Sequence, residues 1–140
     1  MALKNGWFLT PLQLQEMEDG SHFKVLSPLV YCAKPGTFYE VPAGTVTDFA
    51  SVPRVLWNIL PPFGKHSRAA VLHDWLYQAA PRRMTRGQAD ALFCDAMRAC
   101  GVGWLTRRAM YAGVRVGGGV AWRRYRGASP TVADAGSGRS

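Results

Sequence analysis

His73-Asp74-Trp75-Leu76-Tyr77, answered by Ala89-Asp90-Ala91-Leu92-Phe93, is the part of this chain whose residue types could do chemistry. A neutral imidazole activates water when a carboxylate fixes its tautomer through the other ring nitrogen. Asp90 is the carboxylate spaced to do this for His73. Asp74 could offer a hard oxygen to calcium, which would polarise a carbonyl and stabilise an oxyanion. Tyr77 could hold a carboxylate in place. The same residues could equally satisfy one another as a buried polar clasp between two helices. The residue pattern leaves both readings open.

Other constellations are weaker. Ser51 with His73 and an aspartate would make a hydrolase triad, but no nucleophile-elbow pattern surrounds Ser51, which reads as a helix cap. His66 and His73 lie seven residues apart, with His66 in a loop, which is poor spacing for a shared metal with Asp74. Cys32, Cys94 and Cys100 show no metal-type spacing and read as buried reduced thiols.

The elements that must position His73 and Asp90 follow from periodicity. Arg68–Ala79 reads as a helix with Ala69, Leu72, Leu76 and Ala79 in its apolar stripe. His73 and Tyr77 lie one turn apart on an edge of that stripe, and Asp74 points further out. Pro81 stops this helix. Thr85-Arg86-Gly87-Gln88 has the form of a capping box and opens a second helix. Ala89, Leu92, Phe93, Ala96, Met97 and Cys100 form its core face, Asp90 flanks that face, and Asp95 falls on the far side. Gly101 and Gly103 end it. A third helix over Trp104–Val116 would pack Leu105, Ala109, Ala112 and Val116, and Gly117-Gly118-Gly119 would break it. Upstream, short alternating runs lie between turn signals at Asp19-Gly20, Ser27-Pro28, Lys34-Pro35-Gly36 and Pro42-Ala43-Gly44, giving three or four antiparallel strands. A short helix from Ser51 through Asn58 is expected next. The fold class is therefore α+β: a small N-terminal antiparallel β region packed on a helical hairpin plus a third C-terminal helix. Residues 1–126 form one domain, and 127–140 read as a flexible or partner-ordered tail.

Composition bounds the partners. The chain has 140 residues, 48% of them hydrophobic, and a net charge of +8. Residues 1–81 hold six basic and six acidic side chains, whereas residues 82–140 hold eleven arginines against three aspartates. An arginine-only basic half suits an acidic protein surface, nucleic acid or anionic lipid, or simply a soluble surface. Arg123, Arg124 and Arg126, with Trp122 and Tyr125, are the densest basic group and the candidate docking point for an acidic partner. Met1–Thr10 has no long apolar run, and Ala109–Trp122 is too short and too interrupted to span a membrane. Synthesis in the cytoplasm is expected, with no transmembrane segment and no cofactor.

Two resemblances rest on these residues. His73-Asp74-x-x-Tyr77 followed by Ala89-Asp90-x-x-Phe93 resembles the core of secreted and parvoviral phospholipases A2. This implies His73 as the base that activates water, Asp74 as a calcium ligand and Asp90 as the group orienting the imidazole. The second resemblance covers roughly residues 11–122. Val41-Pro42-Ala43-Gly44-x-x-Thr47-Asp48-x-Ala50-Ser51-x-Pro53-Arg54, then Ala70-Val71-Leu72-His73-Asp74-x-Leu76-Tyr77, then Ala89-Asp90-x-x-Phe93, resembles the phage and prophage domain of unknown function (DUF) 1353 family. It implies phage origin and this general architecture in a protein made in a bacterial host, and brings no established activity or substrate; with the uneven charge, the expectation is a protein carried in the virion or acting in its assembly, with other phage structural proteins as partners. The resemblance also draws Thr47, Asp48, Ser51 and Arg54 toward the His-Asp region as binding neighbours. A virion or tail component is thus the leading expectation, and a small His-Asp hydrolase is the alternative.

Overall fold

The computed structural model describes residues 6–48, 66–79 and 84–129, excepting the side chains of 79, 121 and 124–129. Six short strands form two three-stranded antiparallel sheets. One sheet has the order β1 (Trp7–Phe8), β4 (Leu29–Lys34), β5 (Thr37–Val41); the other has β2 (Leu14–Glu16), β3 (Phe23–Val25), β6 (Val46–Thr47). The α+β class expected from sequence is the class observed, with more and shorter strands than the three or four anticipated.

The turns follow from the residues that make them. Lys34-Pro35-Gly36 closes the β4–β5 hairpin, with Tyr31 opposite Tyr39 and Cys32 opposite Phe38. At Pro42-Ala43-Gly44-Thr45, Gly44 takes φ +94° and the Thr45 amide donates to the Pro42 carbonyl at 3.2 Å. That is the position of a type II turn at which a side chain is strained, so glycine is needed.

Three helices follow: α1 (Ser67–Ala79), α2 (Arg86–Ala99) and α3 (Trp104–Ser129). The capping box at the start of α2 is present, with the Thr85 hydroxyl accepting from the Gln88 amide and the Gln88 side chain accepting from the Thr85 amide. At its end Gly101 takes φ +84°, and the amides of Val102 and Gly101 donate to the Met97 and Arg98 carbonyls. This Schellman closure turns the chain into α3 within a few residues.

Helix α1 is the centre of the molecule. It touches α2, α3, β4, β5 and β6. Ala69, Ala70, Val71, Leu72, His73, Asp74, Leu76 and Tyr77 are all buried. The narrow stripe expected from periodicity is therefore corrected to burial nearly all round. Asp74 does not point outward: β6 covers it. Val25, Leu29, Tyr31 and Val41 from the sheets, Ala89, Phe93, Ala96 and Met97 from α2, and Met110 and Val114 from α3 complete the core.

Helix α3 corrects two expectations. It runs unbroken through Gly117-Gly118-Gly119. It also buries Met110 and Val114, while Leu105, Ala109, Ala112 and Val116 face solvent. Both faces of this helix are apolar, so periodicity alone could not choose between them. The inward face is the one that lets Arg115 reach a buried carboxylate. Residues 127–129 belong to the helix, and 130–140 lie outside the described residues. Of the three cysteines, all free, Cys32 is buried as expected, whereas Cys94 and Cys100 are half-buried.

Candidate functional site

Asp90 is the hub on which all three helices meet. It starts the second turn of α2 on the inner face and is fully buried. From α1, the His73 ring lies with Nε2 2.6 Å from Asp90 Oδ1, and the Tyr77 hydroxyl donates to the same oxygen at 2.7 Å. From α3, Arg115 Nη1 donates to Oδ2 at 2.9 Å. Arg86, one turn before Asp90 on α2, places Nη1 3.5 Å from Oδ2 and also donates to the Val114 and Arg115 carbonyls, each at 3.1 Å. Both carboxylate oxygens are thus engaged.

Ring packing holds the imidazole in this position. The His73 ring centroid lies 4.3 Å from that of Tyr77 and 4.5 Å from that of Phe93. Trp122 meets the Tyr77 ring edge-on at 5.1 Å. Gly118 is what lets α3 come this close. A Cβ there would lie 2.6 Å from the Tyr77 oxygen and 3.2 Å from Arg86 Nη1.

The electrostatics follow from these contacts. Burial pushes the Asp90 carboxyl up, but the hydrogen bonds from His73 and Tyr77, and then that from Arg115, outweigh it and hold the group below the ordinary carboxylate value. Burial, and then the bond to Asp90, raise the Tyr77 hydroxyl well above the ordinary tyrosine value. Tyr77 therefore acts as a hydrogen-bond donor and not as an acid near neutrality.

Next to this hub, Asp74 accepts a hydrogen bond from the Thr47 hydroxyl on β6, and both side chains are buried. Gln78 ties the same helix to β6 by donating to the Val46 carbonyl at 3.0 Å. Asp48 follows at the end of β6, half-buried. Thr47, Asp74, His73, Tyr77 and Asp90 are thus gathered by β6, α1 and α2, as the sequence suggests. Ser51 and Arg54, and the short helix expected from Ser51, lie outside the described residues. Arg123 is exposed on α3. Arg124 and Arg126 are on the same helix, but their side chains lie outside the described set.

Arg86, Arg115 and Gly118 were missed from sequence. The signals were present: Arg86 stands four residues before Asp90, and Arg115 is a lone charge inside an apolar run. Among the described residues, no three or more His, Cys, Asp or Glu side chains converge as a metal site. No helix among them is long and apolar enough to cross a membrane. A cleft of about 420 Å³ opens on the outer side of α2 and α3, between Ala91, Cys94, Trp104, Arg108 and Tyr111, and shares no residue with the Asp90 hub.

A small antiparallel β region packed on three helices, with a His-Asp-Tyr-Arg cluster at their junction, defines the class of protein. Residues 23–114 match the family described as "Protein of unknown function (DUF1353)", and the chain belongs to that family. It is similar to the uncharacterized protein y4jT of Sinorhizobium fredii (strain NBRC 101917 / NGR234), with 34% identity over 91 residues. That match covers 64% of this chain and 26% of the relative, so the chain spans about a quarter of the longer protein. No solved structure matches significantly.

Proposed function

We propose that this chain is a phage-encoded virion or tail-associated component, a structural or assembly module in which the His73–Asp90 pair is an internal clasp. The observation that carries this reading is the sealing of the pair: His73 is 2% exposed and Asp90 0%. A reaction centre needs substrate to reach the base. Here the carboxylate is saturated by His73, Tyr77, Arg115 and Arg86, each from the protein itself. In this reading the basic end of α3, where Arg123 is exposed and Arg124 and Arg126 stand beside it in sequence, is suited to an acidic partner. The test is stoichiometric copurification with particles. A chain absent from purified particles, and without effect on their assembly when deleted, would end the proposal.

One observation favours a second reading, a small His-Asp hydrolase of the phospholipase A2-like kind. An imidazole that donates from Nε2 to Asp90 presents Nδ1 as its basic nitrogen when neutral. In that reading His73 takes a proton from water through Nδ1, Asp90 holds the tautomer and Asp74 assists from the next residue. Calcium at Asp74 belongs to this reading alone, and the Thr47 hydroxyl already occupies one carboxylate oxygen. Hydrolysis of lipid or ester substrates that is lost in His73→Ala, with the fold retained, is what it requires.

A further inference from the structure

The cleft of about 420 Å³ on the outer side of α2 and α3 has the volume of a small-ligand site, for which roughly 300–1,000 Å³ is usual. Its shape follows from side-chain size. Ala91 and Cys94 on α2 and Ala112 on α3 are small and leave the space between the helices unfilled. Trp104, Arg107, Arg108 and Tyr111 wall it from α3, at spacings of three, one and three residues that put them on one side of the helix. A helix side that lies against a neighbouring helix is ordinarily aliphatic. This one is arginine and aromatic.

The arginines of the wall are held in place. Arg107 is half-buried and donates from Nη1 to the Val102 carbonyl at 3.0 Å, which leaves other N–H groups of its guanidinium to a ligand. The Arg108 guanidinium lies over the Trp104 ring, 5.4 Å from its centroid, so its charge is tied to the aromatic wall. Trp104 is nonetheless 61% exposed, and its indole is not spent on the core. The acidic group of the cleft is Asp95, which pairs with Arg98 at 3.1 Å. Three arginines against one aspartate leave the cleft and its rim positive.

We infer that this cleft binds a nucleotide, with the base stacked against Trp104 and Tyr111 and the phosphate held by Arg107 and Arg108. The wall calls for both halves of such a ligand: aromatic surface for a planar ring and guanidinium groups for a phosphate. An inorganic anion would leave the indole unused, and an uncharged ring would leave the arginines unused. An acidic protein surface is met by arginines that stand in the open, whereas Arg107 is set back within the cleft. The nucleotide is free in solution or is one unit of a single strand, because a base inside a duplex does not present its face. The inference goes beyond the assembly reading and does not rest on it, since the cleft shares no residue with the Asp90 hub.

The test uses AMP, titrated by calorimetry, and a fluorescein-labelled oligodeoxyadenylate of about ten nucleotides, followed by anisotropy. Both should bind saturably at about 50 mM NaCl. Trp104→Ala should weaken each by about tenfold. Arg108→Ala should weaken both and should flatten the slope of log K against log salt for the oligonucleotide by about 0.7. Both side chains are exposed, so circular dichroism should be unchanged. Arg123→Ala, outside the cleft, should leave AMP binding as it was. Bound AMP should slow alkylation of Cys94, which lines the cleft, and leave that of Cys100 unaltered. An oligonucleotide bound more than about tenfold tighter than AMP assigns the site to single strands, and equal affinities assign it to free nucleotides. The inference is overturned by no binding of either probe up to about 1 mM, or by binding indifferent to Trp104→Ala. Loss of AMP binding in Arg123→Ala, or Cys94 left unprotected, overturns it too. So does a polyglutamate peptide that displaces AMP as well as the oligonucleotide does.

Discussion

Asp90→Asn isolates the hub without changing its shape. The asparagine keeps one oxygen, which can still accept from Tyr77 and His73. Its amide nitrogen then stands where Oδ2 accepted from Arg115 at 2.9 Å, so two donors face each other. The charge that balanced Arg86 and Arg115 is also gone from a fully buried site. Breaking a buried ion pair by removing one partner costs about 3–5 kcal/mol, a large part of the roughly 5–15 kcal/mol that holds a domain together. For a chain of this size about 1 kcal/mol moves the midpoint by roughly 3–5 °C, so the expected fall is about 10–20 °C. Calorimetry or urea unfolding reads it directly. Asp95→Asn is the internal control: Asp95 is 54% exposed, its Arg98 partner lies 3.1 Å away, and an exposed pair is worth less than about 1 kcal/mol. If Asp90→Asn lies within about 1 kcal/mol of the parent, Asp90 is not the hub of the three helices.

The acid dependence follows from the same carboxylate. Its folded-state pKa is depressed, so its stabilisation is present above the ordinary value of about 4 and is lost as pH falls through the lower folded value. The gap between the parent and Asp90→Asn, read from urea midpoints, should hold from about pH 7 to about pH 5 and narrow below about pH 4. Gly118→Ala should destabilise by about 1–3 kcal/mol, because the new methyl meets the Tyr77 hydroxyl. Gly117→Ala meets nothing within 4 Å and should stabilise the helix by about 0.5–1 kcal/mol; equal thermal shifts for the two would remove the packing argument. Thr85→Ala should lower the unfolding free energy by about 1 kcal/mol through loss of the α2 cap.

What could be read from sequence was whatever local chemistry determines. The capping box at Thr85, the turn at Gly44, and the meeting of His73 and Asp90 across two helices all follow from residues near in sequence or from one periodicity. What could not be read was set at a distance. Asp74 is buried because β6, some thirty residues earlier, supplies the Thr47 hydroxyl. The middle one of the three helical glycines, Gly118, is needed because Tyr77 and Arg86, distant in sequence, occupy the space that a side chain there would take. The inward face of α3 was misassigned because two apolar faces carry the same period, and only the reach of Arg115 to Asp90 separates them.

The enclosure of α1 has a consequence for how the chain folds. Its partners lie on both sides in sequence, the strands before it and the two helices after it. During synthesis the two sheets emerge first, with Leu29, Tyr31 and Val41 lacking the surface they pack on. The central helix then emerges with most of its circumference apolar and uncovered. Neither half can close alone, so ordering waits for α2 and α3, and the closing contacts span long stretches of chain. Such a topology folds late and as one unit. Until the last helix arrives, the nascent chain exposes apolar strand and helix surface of the kind that chaperones bind and that aggregates grow from.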